Sequence, residues 1–139
     1  MQAMRDVLIT SADGAPTRRH RLVASTEWDE VQHWCRQIYL PYDAKPAGPA
    51  RQPNAVLDAM QIGQLTLSRF SYGVPVHLSG FDEGAGIGLV LTTLQGAVRH
   101  WSSGRTHADT GVGDSYLVDL SRAHYRLDAD ARHLQVNLT

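Results

Sequence analysis

Cysteine is nearly absent from this chain: Cys35 stands alone among 139 residues, so no internal disulfide can form. A lone thiol fits a reducing compartment, and the cytoplasm is the expected location. Cys35 lies in the stretch WCRQIY, on the inward side of a predicted helix, and no histidine is obviously placed to activate it. It reads as a buried, inert thiol and not a nucleophile. Long apolar runs are missing too. The opening MQAMRDVLITSADG lacks the extended apolar stretch of a secretory signal. No run approaches the roughly 18 apolar residues that a membrane-crossing helix needs, so no membrane partner is expected.

Charge of one sign is equally scarce. Thirteen Lys and Arg against 14 Asp and Glu leave a net charge of −1. Binding nucleic acid through its phosphates needs clustered cations. The one basic cluster, Arg18-Arg19-His20-Arg21, reads as a solvated strand edge and not a DNA contact. No Gly-x-Ser-x-Gly elbow is present to expose a serine nucleophile. The glycines of Gly84-Ala85-Gly86-Ile87-Gly88 precede a predicted strand, whereas a dinucleotide loop requires a helix after them. Seven histidines invite a metal reading, and five of them (His77, His100, His107, His124, His133) fall in the β-rich part. Two imidazoles from one strand face require His-x-His, which does not occur, and Glu83 is the last glutamate. No metal, no cofactor and no catalysis are expected.

What remains is a chain with 42% apolar and 19% charged residues, the balance of one folded domain over residues 1–139. Residues 1–18 read as a flexible lead or an extra strand, with Asp6–Ser11 as the strand candidate. Arg19–Ala24 alternates in strand fashion. Thr26 offers an N-cap hydroxyl with Asp29 three residues on, close to a capping box. Trp28, Val31, Trp34, Cys35 and Ile38 then recur at helical spacing, predicting a helix over Thr26–Tyr39 that stops before Pro41. Lys45–Asn54, with three prolines and a glycine, predicts a loop.

Beyond the loop the period falls to two. Val56–Ile62 and Gln64–Tyr72 predict a hairpin about Gly63, and Val74–Leu78 a further strand. Phe81–Gly86 is an acidic turn. Ile87–Gln95 and Ala97–Ser102 predict a second hairpin about Gly96. Ser103-Gly104 turns the chain into Arg105–Ala108, and Gly111 and Gly113 bracket a turn into Ser115–Leu120. His124–Leu127 and His133–Leu138 complete the set, divided by a charged turn at Asp128–Arg132. Gly88 to Leu127 thus holds five short strands between glycine-marked turns, the spacing of a β-sandwich or barrel.

The order of several phrases adds a resemblance. A strand, the helix TEWDEVQHWCRQIYLPY and a Pro-rich loop are followed by IGQLTLSRFSYG, VLTTLQGAVRHW, TGVGDSYLVDLSRAHYRL and HLQVNLT. From about Arg19 onward this resembles the N-terminal sensor domain of AraC-family transcriptional regulators, of the AraC-binding-like type. The resemblance implies a mainly β, cupin-like jelly-roll barrel with one N-terminal helix packed outside. It also implies a small-molecule effector in the barrel and a homodimer. In that family DNA is read by a C-terminal domain with helix-turn-helix units. No such region follows Thr139 here, so this polypeptide is expected to be an excised or stand-alone sensor domain that does not read DNA itself.

A ligand-holding barrel should combine apolar walls with a few polar anchors. On Gln64–Tyr72 the set Leu65, Leu67, Arg69 competes with Thr66, Ser68, Phe70, Tyr72 for the interior, and alternation does not choose between them. Arg69, a possible carboxylate clamp, and Tyr72 are the ligand candidates there. Leu89, Leu91 and Thr93 read as inward. His100 and Trp101 face opposite ways, which makes His100 a candidate. Tyr116 and His124 are candidate anchors, each joining an apolar ring to a polar tip. Ordinary core packing is the plainer alternative for every one of them. Trp28 and Trp34 are candidates for a dimer interface. A dimerisation module without ligand and a small metal-dependent cupin enzyme are the competing readings; the missing His-x-His pair counts against the second.

Overall fold

The computed structural model describes residues 2–49, 52–103, 106–121 and 124–139. A single helical turn, α1 (Gln2–Arg5), precedes β1 (Arg21–Ser25) and the helix α2 (Trp28–Ile38). Five strands follow: β2 (Asp43–Pro46), β3 (Ala55–Ile62), β4 (Leu65–Ser71), β5 (Val76–Ser79) and β6 (Gly88–Gln95). The chain continues through β7 (Val98–Ser102), β8 (His107–Thr110), β9 (Ser115–Asp119), β10 (Tyr125–Ala129) and β11 (Leu134–Leu138). They form two antiparallel sheets, one ordered β1-β3-β4-β11-β6-β9 and the other β2-β5-β10-β7-β8. The sheets do not close into one barrel; they pair as the two layers of a jelly roll, each edge free of the other.

Alternation sets the core. Leu57, Phe70, Leu89 and Leu91 from the first sheet meet Val76, Leu78, Val98 and Leu127 from the second in one buried cluster. Truncating a buried Leu of this kind to Ala costs about 2–5 kcal/mol, so each fixes the sheets' spacing appreciably. α2 lays Val31 and Cys35 into the same cluster and leans Trp28, Trp34 and Ile38 against it. Both tryptophans are half-buried within the domain, and Trp28 approaches the Tyr72 ring with 5.9 Å between centroids.

Several expectations change. Asp6–Ser11 is turn, with only an isolated bridge between Thr10 and Pro16. Thr26 does not cap α2. Glu27 holds the N-cap position without a side-chain capping bond, and just before it Ser25 Oγ accepts from the Glu27 N–H (3.0 Å) and donates to the Glu30 carboxylate (3.1 Å). Lys45 and Pro46 belong to β2, which can hold a proline because it is an edge strand. Asp128 and Ala129 extend β10 instead of starting a turn. The turn at Ser103-Gly104 and the strand start at Arg105 rest in part on Gly104 and Arg105, which lie outside the described residues.

The two predicted hairpins diverge. β3 and β4 pair in register from Val56–Ser71 to Ile62–Leu65, with Gly63 at φ +61° in the turn. Around Gly96 no hairpin forms. β6 pairs with β11 and β9, whereas β7 pairs with β10 and β8, so Gly96 is the corner where the chain changes sheets. Its φ is +74°, and a Cβ there would stand 2.7 Å from the His133 backbone nitrogen. Only glycine fits this corner without displacing backbone. A short Gly-containing link between two apolar strands suits a hairpin and a sheet-switching corner alike, which is why the spacing alone misleads.

Candidate functional site

Inside the jelly roll, aromatic and aliphatic side chains from both sheets surround a cavity of about 40 Å³, with Tyr39, Tyr42, Phe70, Tyr72 and Phe81 forming much of its wall. Of the lining residues only Phe81 is not fully buried; it stacks on Tyr42 with 5.0 Å between centroids. No Asp, Glu, Lys or Arg lines the cavity among the described residues.

Its polar groups come chiefly from one strand. His133, Gln135 and Asn137 alternate with Leu134, Val136 and Leu138, and the polar set is the one that lines the cavity. His133 is buried; its Nε2 accepts from the Tyr72 N–H (3.0 Å), while Nδ1 donates to the Asp130 carbonyl (2.5 Å). Burial pushes its pKa down and keeps the ring neutral. Tyr42 and Tyr72 join hydroxyls at 2.5 Å, and Tyr39 meets Ser68 Oγ at 2.7 Å. Burial holds all three phenols well above their ordinary pKa, so they too are neutral. Burial likewise raises the Cys35 thiol to about 11, which removes it as a nucleophile at neutral pH.

Three buried side-chain atoms lack a partner among the described residues: Asp58 Oδ2, away from the cavity, and one atom each of Gln135 and Asn137, which line it. Both are more than nine-tenths buried, and Gln135 Nε2 and Asn137 Oδ1 have no hydrogen-bond partner among the described residues. Asn137 Nδ2 donates to Tyr39 Oη at 3.3 Å, which leaves its oxygen spare. A buried amide atom without a partner costs about 1–3 kcal/mol. One spare donor and one spare acceptor, side by side on β11, are therefore offered to whatever fills the cavity.

The candidates read from sequence do not form one site. Tyr72, Leu89 and Leu91 line this cavity. Thr93, His100 and Tyr116 lie in a second polar cluster elsewhere in the core. There His100 Nε2 lies 2.9 Å from Thr110 Oγ1, and Nδ1 lies 2.5 Å from Tyr125 Oη. Thr110 donates to the Val98 carbonyl (3.3 Å), so it accepts from His100 Nε2–H and from Thr93 (2.9 Å), and Tyr125 donates to Nδ1. Tyr116 stacks on His100 at 4.2 Å and bonds Ser102 at 2.5 Å. Burial lowers the His100 pKa to about 4.

Arg69 faces away from the cavity, half-buried on the outer face of the first sheet. His124 is exposed and pairs with Glu83 at 3.1 Å. Gln135 and Asn137 escaped the sequence reading because alternation in HLQVNLT favours Leu134, Val136 and Leu138 as the inward face. The signal was present in His-x-Gln-x-Asn, three polar residues sharing one strand face.

Two packed antiparallel sheets enclosing such a cavity define a cupin-type domain. The AraC-binding-like domain matches residues 31–139, and the chain belongs to that family. Among solved structures it is similar to the AraC-like transcriptional activator CuxR, with TM-score 0.65 and 14% identity, covering 85% of this chain and 46% of that one. It is also similar to a cupin superfamily protein from Desulfitobacterium hafniense, with TM-score 0.51 and 18% identity, covering 66% of this chain and 82% of that one. No curated protein sequence matches. Among the described residues no helix is long and apolar enough to cross a membrane, and no three His, Cys, Asp or Glu side chains gather to hold a metal.

Proposed function

We propose that this domain is the effector-sensing module of an AraC-type regulator and that its effector is a small, uncharged molecule bound between the sheets. The unpartnered pair Gln135 Nε2 and Asn137 Oδ1 carries the reading. A ligand presenting an acceptor and a donor to these atoms, with an apolar or aromatic body against Phe70, Tyr72 and Leu89, satisfies the cavity. Anions and cations fit badly: the lining offers them no counter-charge, and burying an unpaired charge is far costlier than burying an amide. Entry requires the cavity to widen, and Phe81, the least buried wall residue, is the side chain that can swing. The same features favour binding over catalysis, since the phenols, His133 and Cys35 are all held in unreactive neutral forms.

A thermal-shift screen tests this with two matched arms, neutral aromatic amides and alcohols against the corresponding carboxylates. A neutral ligand at a hundredfold excess over its Kd adds about 2.7 kcal/mol to apparent stability. Gln135→Leu is expected to abolish that shift while stabilising the ligand-free protein by about 1 kcal/mol, because an unsatisfied amide is removed. Shifts from the carboxylates alone, or an undiminished shift in Q135L, would overturn the proposal.

A further inference from the structure

The outer face of the first sheet carries a second concavity that the effector reading does not use. It is an open groove of about 780 Å³ between the segment before β1 and the ends of β3, β4 and β11, lined by Arg18, Arg21, Arg69 and Arg132. Register explains two of them: Arg21 on β1, Asp58 on β3 and Arg69 on β4 stand in one row across the sheet. Asp58 is fully buried and receives Arg21 Nε at 2.8 Å, and Arg69 Nε donates to the Arg5 carbonyl at 3.2 Å. The Nη groups of Arg21 and Arg69, and the whole guanidinium groups of Arg18 and Arg132, are left without partners among the described residues. No carboxylate lines the groove; Asp6 and Asp58 act on Arg69 from beside and beneath it. Four guanidiniums line the groove and no carboxylate does, with Asp58 lying beneath Arg21 and Asp130 beside the Arg132 backbone, which leaves the concave surface itself positive.

From this geometry we infer that the groove binds a small anion of the phosphate class with two or more negative charges, at a site separate from the effector cavity. Guanidinium forks match phosphate oxygens bidentately, and a low-dielectric concave wall focuses the potential. Desolvation is the largest influence on Arg69 and disfavours its charge; Asp58 opposes that more strongly than the nearby Arg21 adds to it, and Asp6 opposes it as well. A bound phosphate would add a further counter-charge beside a partly desolvated guanidinium. The outer position also separates the two ligand classes, the charged one by the arginines and the neutral one by the amides.

Calorimetric titration with sodium pyrophosphate at low salt tests the site, with sodium sulfate as the control and Arg132→Gln and Arg18→Gln as variants. Both arginines sit on loops, so the variants should melt like the wild type. Pyrophosphate is expected to bind more tightly than sulfate, and each substitution to weaken it about tenfold or more, the worth of a charge-assisted hydrogen bond. Q135L should bind pyrophosphate as the wild type does, which separates failure here from failure of the cavity reading. No binding up to millimolar pyrophosphate, equal affinity for sulfate, or R132Q and R18Q behaving as wild type would overturn the inference.

Discussion

His100 makes the domain's stability depend on pH in a way that can be calculated. The ring is fully buried, and its folded pKa is about 4 against 6.5 for the free side chain. Because the folded pKa is the lower one, the unfolded chain takes up a proton first as pH falls. The contribution is thus intact above pH 6.5 and drains away between about 6.5 and 4. Linkage gives a loss of about 2 kcal/mol between pH 7 and pH 5, rising to about 3 kcal/mol once both states are protonated. His133, also pushed down by burial, acts in the same direction, since its protonation would replace the acceptor that holds the Tyr72 N–H. Urea denaturation at the two pH values is the assay. With a slope of about 2 kcal/mol/M, the wild-type midpoint should fall by about 1 M or somewhat more. His100→Gln, which cannot titrate, should be less stable at pH 7 yet lose about 2 kcal/mol less on acidification, the remainder belonging to His133. A wild-type midpoint that does not move, or an H100Q protein that drops as far as the wild type, would refute the assignment of this network as neutral and buried.

Two further outcomes follow from close contacts. Gly96→Ala combines a left-handed φ of +74° with a Cβ 2.7 Å from the His133 nitrogen, so it should destabilise by about 2 kcal/mol or more, read as a lowered thermal midpoint; a change under about 0.5 kcal/mol would show that the corner is soft. Tyr42→Phe and Tyr72→Phe each strip one hydroxyl from a buried 2.5 Å pair and should cost about 1–2 kcal/mol apiece, while the double variant costs less than their sum by about 0.5 kcal/mol or more; strict additivity would mean that each hydroxyl has another adequate partner.

How much of this was legible in the sequence follows from which physical signal each feature leaves. α2 was readable because Trp28, Val31, Trp34, Cys35 and Ile38 repeat with the helix period, and burial of Val31 and Cys35 uses that stripe. Leu89, Leu91 and Thr93 are buried at every second position of β6, as period-2 reading expects, although Leu94 is buried directly after Thr93 and breaks the alternation. Pairing partners were not readable, since Gly96 carries the same local chemistry whether the next strand folds back or crosses to the other sheet. Arg69 and Tyr72 were proposed for one site although positions 69 and 72 differ by three and therefore face opposite sides of an unbroken strand. Parity alone separates them, and the structure sends Tyr72 to the cavity and Arg69 to the outer groove.

The two buried polar clusters show why hydrogen-bond completeness is a better guide to a candidate site than residue type is. His100, Thr93, Thr110 and Tyr125 look like functional residues in a list of side chains, yet their ring nitrogens and hydroxyls are paired with one another or with the Val98 carbonyl. A saturated network of this sort rigidifies the core and has nothing to offer a ligand. Gln135 and Asn137 look unremarkable in the same list, but they face the aromatic cavity with a donor and an acceptor unmet. Native interiors seldom retain such atoms without a reason. If the amides served only packing, Leu at position 135 would be the better residue for stability. A gain in stability together with loss of ligand in Q135L is therefore the signature of an amide kept for binding.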